Sequence, residues 1–308
     1  MKLVVALGGN ALGSTPTQQK ELVINTAKAI VDLIEQGHSV VVTHGNGPQV
    51  GMINSVFETA NKVDNSTPIM PFPECGAMSQ GYIGYHLQNA LQTELKRRNI
   101  VRSAVAVVTQ VIVNKDDSGF TNPTKPIGAF VDKQKAEILE RENGYIMKDF
   151  GAQGFRRVVA SPLPIDIVEK DVISTLINSN CIVITVGGGG IPVIEQDGKY
   201  VGVPAVIDKD FASALLAKII SADKLVILTA VDKVSINFGK PNQVDLDVLT
   251  VSQAEKLMAE GQFGKGSMLP KVSSALSFVK GSDKQAVIAN LEKTALALAG
   301  KSGTVITE

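Results

Sequence analysis

The chain has 308 residues, with 30 lysines and arginines against 30 aspartates and glutamates, so it carries no net charge and no long-range field to gather nucleic acid or an anionic membrane. Hydrophobic residues make up 44% and charged residues 19%, which excludes disorder and allows a large core; the absence of tryptophan leaves few stacking platforms for bases. Two distant cysteines, Cys75 and Cys181, and three scattered histidines, His38, His44 and His86, exclude a disulfide scaffold and a clustered zinc site. The N-terminal apolar run, Leu3–Leu7, is too short for a secretory or membrane-spanning segment, so a cytoplasmic location is the expectation.

In chain order, Lys2–Leu7 reads as a strand stopped by Gly8-Gly9-Asn10. Val23, Ala27, Ile30 and Ile34 recur at helical spacing, which predicts a helix over Thr17–Gln36 closed by Gly37. Ser39–Thr43 is a second strand, followed by helices reaching about Asn61 and spanning about Glu74–Arg98. Lys96-Arg97-Arg98 reads as a basic end to that helix. Val101–Val113 reads as one strand with a bulge at Thr109-Gln110. Further strands are expected at Ile182–Val186, Leu225–Thr229, Ala286–Ala289 and Thr304–Thr307. Helices are expected over Pro164–Asn178, Ala212–Ala222, Ser252–Glu260, Pro270–Lys280 and Leu291–Ala299. Strands alternating with helices imply crossover units, a mainly parallel sheet and three layers. Asn114–Leu163 breaks the rhythm with turn clusters, one polar helix near Asp132–Arg141 and the pair Arg156-Arg157, and reads as an excursion from the sheet.

Three glycine-rich turns follow apolar strands: Gly8-Gly9-Asn10, Gly45-Asn46-Gly47 and Gly187-Gly188-Gly189-Gly190. Such turns let backbone N–H groups approach an anion, at the strand ends where open α/β sheets bind ligands. One turn of this kind is ordinary; three, two of them holding asparagine, point to an anion site. They match neither the dinucleotide fingerprint, since Pro192 stands where its last glycine belongs, nor a P-loop, since Ala295 stands where the first glycine before Gly300-Lys301-Ser302 belongs. Lysines then stand out. Lys209 lies between Asp208 and Asp210 at a strand-to-helix junction, Lys271 lies in the first turn of a helix, and Lys125 lies in the turn Pro123–Pro126. With the glycine turns they point to phosphate neutralisation, as phosphoryl transfer requires.

On these residues the sequence resembles the carbamate kinases of the amino acid kinase family from end to end. The segments are Val5–Ala11, His44–Gly51, Asn122–Gly128, Gly187–Val193, Val206–Ser213 and Gly266–Lys271, in the family's order. The resemblance implies reversible transfer, ATP + carbamate ⇌ ADP + carbamoyl phosphate, with Mg²⁺ on the nucleotide. It also implies use toward ATP in arginine or purine-derivative catabolism, in a cytoplasmic homodimer. The implied fold is one α/β domain over residues 1–308, a three-layer α/β/α sandwich around an eight-stranded, mainly parallel sheet with a small protruding lid near 114–163.

Carried over residue by residue, Gly8, Gly9, Asn10, Gly45, Asn46 and Gly47 would hold carbamate and the migrating phosphoryl group. Lys209 and Lys271 would neutralise the phosphates, Asp210 would position them with Asp208 beside it, and Lys125 would reach in from the lid. Gly187, Gly188, Gly189, Gly190, Asp208, Ala230 and Met268 would border the nucleotide. An already ionised acceptor needs no general base, and Mg²⁺ held by phosphates needs no protein cage. Ala129, Leu163 and Lys233 depart from residues common in the family, and Cys75 matches a family cysteine near the substrate entrance. Two rival readings stay open: a kinase of the same family acting on another carboxylate or a nucleoside monophosphate, and a catalytically silent nucleotide or metabolite sensor.

Overall fold

The computed structural model describes every residue except Asn10, Ala11 and Ser14. The first half of the chain forms β1 (Lys2–Leu7), α1 (Pro16–Glu35), β2 (Ser39–His44), α2 (Gly47–Val63), α3 (Phe72–Arg97), β3 (Ala104–Ala106), β4 (Gln110–Val113), α4 (Ser118–Thr121), β5 (Lys125–Val131), α5 (Lys133–Asn143), β6 (Ile146–Asp149) and β7 (Phe155–Val159). The second half forms β8 (Pro164–Ile167), α6 (Lys170–Asn178), β9 (Ile182–Ile184), β10 (Ile191–Gln196), β11 (Lys199–Gly202), α7 (Lys209–Ile219), β12 (Lys224–Thr229), β13 (Val234–Ile236), β14 (Val244–Leu246), β15 (Val248–Thr250), α8 (Val251–Ala259), α9 (Met268–Val279), β16 (Gln285–Asn290), α10 (Thr294–Leu298) and β17 (Thr304–Thr307). No described helix is long and apolar enough to cross a membrane.

Eight strands make the main sheet, in the order β15-β17-β16-β12-β1-β2-β9-β3, and every pairing is parallel except β16 with β17. Alternation sets the layers. Along β1, Val4 and Ala6 enter one core while Leu3, Val5 and Leu7 enter the other; on β12, Leu225 and Ile227 part from Val226 and Leu228 in the same way. A strand that is apolar on both faces must be covered on both. α1 and α3 cover one face through Val23, Ala27 and Ile30 and through Ile83, Leu87 and Leu91. α6, α7 and α9 cover the other through Ile173, Leu216, Val272 and Leu276. This is the mainly parallel, three-layer arrangement that the strand–helix alternation predicts, with the eight strands that the resemblance implies.

Several predicted elements come out differently. Val101–Val113 is two strands: β3 stays in the main sheet, while β4 joins a second sheet ordered β11-β10-β4-β8. The break falls at Thr109, whose backbone exchanges two hydrogen bonds with the Gln80 amide, at 2.8 and 3.1 Å, while its carbonyl also accepts from the Ile191 N–H at 2.8 Å where the β4–β10 pairing begins. Pro164 begins β8 and not a helix; α6 starts only at Lys170. At Leu291–Lys293 the chain first makes a single 3-10 turn, capped by the Asn290 side chain on the Glu292 N–H, before α10 begins. β15, at the edge of the main sheet, was not foreseen.

Within the predicted excursion, β5, β7 and β6 form a three-stranded antiparallel sheet beside α5, whose N-cap Asp132 accepts from Lys135 N–H at 2.7 Å. This unit rests on α2. The backbones of Gly51 and Gly128 approach so closely that a Cβ on Gly51 would overlap Gly128. Val50, Phe72, Cys75, Ile127 and Val206 form a small core there, and burial foremost pushes the Cys75 thiol up from its ordinary value.

The basic end of α3 is more than a cap. Arg97 and Arg98 both donate to Glu94 at 2.7 Å, and Arg98 continues to Asp32 and Glu35 of α1 at 2.6 Å. The Arg97 bonds foremost, helped by Arg98 and opposed by burial, hold the Glu94 carboxyl near about 2, below its ordinary 4.5. A depressed acid stabilises fully above its unfolded value and loses that contribution as pH falls through the folded one. Glu94→Gln is therefore expected to cost about 2 kcal/mol in urea unfolding at pH 7. The gap to the parent chain should shrink steadily below pH 4.5; a gap independent of pH would remove this ion cluster from the stability account.

Candidate active site

The carboxyl ends of β12, β1, β2 and β9 lie side by side, so the turns after them share one edge of the sheet. Gly8 and Gly9 follow β1, Gly45 and Asn46 follow β2, Gly187–Gly190 follow β9, and Ala230 follows β12. Asn10 lies outside the described residues.

The charged center of this edge is the start of α7. Asp208 is its N-cap: Oδ1 accepts from the Asp210 N–H at 2.8 Å and Oδ2 accepts from Lys125 Nζ at 2.5 Å. Asp210 is 3% exposed and takes Lys209 Nζ on Oδ1 at 2.5 Å and Lys271 Nζ on Oδ2 at 3.0 Å. Burial alone would push the Asp210 carboxyl up, but the charges and hydrogen bonds of the two lysines outweigh it and hold it well below the usual carboxylate range. Burial foremost pulls Lys209 below its ordinary value, with Asp210 opposing and Lys271 reinforcing. The Lys209 stem passes Gly45, its Cδ 3.5 Å from where a Cβ there would sit. Behind it, Thr43 donates to Ser213 Oγ and Ser213 to the Lys209 carbonyl, each at 2.6 Å, which fixes the first turn of α7 against β2. Lys271 sits in the first turn of α9, where a helix dipole disfavours a cation, and Asp210 offsets that cost.

Asn46 is the N-cap of α2 but caps nothing with its side chain. Its Nδ2 donates to Ser79 Oγ at 2.8 Å, so the first N–H groups of α2 remain open to an anion. Gly188, at φ +66°, lies against the Asn46 amide so closely that any Cβ would overlap it. The tetraglycine run thus packs on the asparagine and on His44. Sequence reading grouped Gly187–Gly190 with Ala230 and Met268. The strand order instead puts the tetraglycine three strands from Ala230, roughly 14 Å at about 4.8 Å per strand. Ala230 lies beside Gly8, Thr229, Asn290 and Glu292 around a cavity of about 160 Å³. Met268 begins α9, three residues before Lys271. Lys233, the departure noted above, is paired with Asp247.

Sequence reading missed the scaffold under these turns. Val186, a β-branched residue at φ +52°, is strained and fully buried directly before the tetraglycine. Its N–H donates to Thr109 Oγ1 at 3.1 Å, and that hydroxyl also bonds Val107 O and Thr185 Oγ1, each at 2.7 Å. Gln80 ties Thr109 to the Gly187 carbonyl at 3.1 Å. Only glycine content signals this region in the sequence. Among the described residues no cluster of three or more His, Cys, Asp or Glu side chains could hold a metal ion, and both site carboxylates are engaged by lysines.

Comparison with known proteins agrees with this architecture. Residues 1–290 match a family model described as the amino acid kinase family. The chain is 53% identical to a carbamate kinase of Clostridium perfringens over 100% of both chains. It is 54% identical to the carbamate kinase-like protein YqeA of Escherichia coli, over 100% of this chain and 99% of that one. Among solved structures, carbamate kinase from Giardia lamblia bound to AMP-PNP superposes with a TM-score of 0.90 at 41% identity, covering 99% of this chain and 98% of that one.

His44 supplies a pH test of the site's packing. Its Nδ1–H donates to the Gly45 carbonyl at 2.9 Å. Burial foremost, with the Lys209 charge, pushes the ring down to about 4 from 6.5, against the opposing pull of the Gly45 bond. Between those values the unfolded chain binds a proton that the folded chain refuses, so this residue erodes stability as pH falls from 6.5 toward 4. From pH 7 to pH 5, His44→Gln should lose about 2 kcal/mol less than the parent in urea unfolding. Equal losses would show that His44 is not held neutral.

Proposed function

The chain belongs to the amino acid kinase family and is a phosphotransferase; on that premise we propose that it is a carbamate kinase, interconverting ATP and carbamate with ADP and carbamoyl phosphate. The observation that carries the reading is the pair Lys209 and Lys271 converging on buried Asp210, beside the open N–H groups of α2. Two ammonium groups on one carboxylate leave one positive charge uncompensated, suited to the oxygens of a phosphoryl group in flight. Asp210, saturated by both lysines, is a positioning residue and not a base. The acceptor, a carboxylate-like anion, is ionised near neutral pH and requires none.

In this reading the acceptor and the migrating phosphoryl group lie against Gly45, Asn46 and Gly47, with Gly8, Gly9 and Asn10 alongside. The nucleotide enters over Ala230 and Gly8, where the cavity beside β12 opens, and Met268, at the start of α9, borders it as the resemblance implies. The tetraglycine then serves the acceptor side, by packing Asn46 in place. The donor set fits Mg²⁺ carried on the nucleotide's phosphates and waters, where it would neutralise charge. Lys125 is the contribution of the protruding unit, about residues 114–163, which acts as a lid; bonded to Asp208 here, it would turn to the phosphates when substrates bind. A cytoplasmic homodimer working toward ATP in arginine or purine-derivative catabolism follows from the resemblance.

The test is ATP formation by the purified chain from ADP, Mg²⁺ and carbamoyl phosphate. No ATP at any pH or with any divalent metal would favour the silent-sensor reading, and preference for another carboxylate would move the substrate. Lys209→Ala and Lys271→Ala should each lower kcat by roughly 10²-fold or more, the scale for loss of a positioned charge donor. Lys125→Ala should change kcat and KM together, as closure mutants do; a change confined to the nucleotide KM would contradict the lid role.

A further inference from the structure

Two successive arginines of β7 face α2 in different states. Arg157 is engaged: Nη1 donates to Asn54 Oδ1 at 2.7 Å, Glu58 lies at 3.9 Å, and the guanidinium sits 3.5 Å from the centroid of the Tyr145 ring. Arg156 is not. Its Nε donates to the carbonyls of Ile127 and Gly128, at 3.3 and 2.9 Å, and its guanidinium lies 5.0 Å from the centroid of Phe130. Among the described residues neither terminal nitrogen has an acceptor, and no carboxylate pairs with it. Burial lowers its pKa with no acid opposing. Half-buried cations are ordinarily paired, so these free donors point to a missing anion.

Their direction identifies which anion. Nη2 lies 4.0 Å from the position a Cβ on Gly47 would take, at the first residue of α2. Asn46, 94% buried, spends Nδ2 on Ser79, and among the described residues its Oδ1 has no hydrogen-bond donor. The start of α2 thus meets a planar cationic fork at Gly47, and the residue before it carries the amide oxygen. That set suits a molecule with anionic oxygens and an N–H. Resting on the carbamate kinase reading, we propose that Arg156 is a substrate-binding residue: its terminal nitrogens hold oxygens of carbamoyl phosphate or carbamate at the N-terminus of α2, while Asn46 Oδ1 accepts from the carbamoyl N–H. A guanidinium matches paired oxygens in a way that an ammonium does not.

The experiment uses the full chain with Arg156→Gln and Arg156→Lys, reading KM for carbamoyl phosphate and for ADP, and the rise in thermal midpoint produced by inorganic phosphate. Expected for Arg156→Gln is a carbamoyl phosphate KM raised about tenfold to a hundredfold, an ADP KM within about twofold, and loss of phosphate protection. Arg156→Lys should recover only part of the affinity, and it alone decides the matter if the glutamine variant does not fold. An unchanged carbamoyl phosphate KM overturns the proposal. So do equal rises in both KM values with a lowered midpoint, which would mark Arg156 as a brace for Ile127 and Gly128. A parent chain that makes no ATP from carbamoyl phosphate, yet is protected by phosphate through Arg156, would sink the substrate and leave the anion contact standing.

Discussion

A carboxylate buried between two ammonium groups is the constraint on which the rest of this edge is built. Asp210 lies at 3% exposure and could not stay ionised there alone; Lys209 at 2.5 Å and Lys271 at 3.0 Å keep it so. Each partner arrives from a different helix, so α7 and α9 must start at the same place and pack side by side. The arrangement leaves the lysines short of one negative charge. Desolvation makes that shortage costly in the empty site and useful when phosphate enters, because an added anion meets charges already placed and already stripped of water.

Rigidity below the site has a second source. The paired hydroxyls of Thr109 and Thr185, the Gln80 amide and the strained Val186 form a floor in which the hydrogen-bonding groups hold the backbone of one another. Strain of about 1–3 kcal/mol at a β-branched residue persists only where its surroundings over-determine it. Here the consequence is an asparagine pinned between a serine and a glycine run that admits no side chain. The protruding unit is joined differently, through a small apolar core and the close approach of Gly51 to Gly128.

Much of this was legible in the sequence. The unbroken apolar run Leu3–Leu7 carries two-sided burial, the helical spacing from Val23 to Ile34 carries α1, and the six motifs carry the family. The lysines were legible because a cation in the first turn of a helix is a local anomaly that demands a partner. What escaped depends on residues distant in the chain. At the break, Gln80 Oε1 takes the Thr109 N–H in place of a main-sheet strand partner. The short strand β15 is held by β17, 57 positions away in the pairing Leu249 with Ile306 and invisible to periodicity. Pro164 reads equally well as the first residue of a helix or of an edge strand, and only the pairing of β8 with β4 decides. Where the tetraglycine lies along the edge is set by strand order, not by sequence order, which periodicity does not reveal.

The position of Lys125 fits the way in which a chain with no net charge would meet the anionic substrates proposed for it. Lys125, Lys209 and Lys271 gather around two carboxylates, Asp208 and Asp210, both already engaged. The inner pair on Asp210 is buried, and breaking it would strand charges away from water. The Lys125–Asp208 pair has side chains 28% and 16% exposed, so water already screens it and its net worth is small. An incoming phosphate can therefore exchange partners with Lys125 at little cost while the inner triad stays fixed. A fixed pair of lysines with a separable outer one is the arrangement that the proposed lid would need: closure would trade one weak ion pair for a stronger contact with the ligand, and release would reverse it.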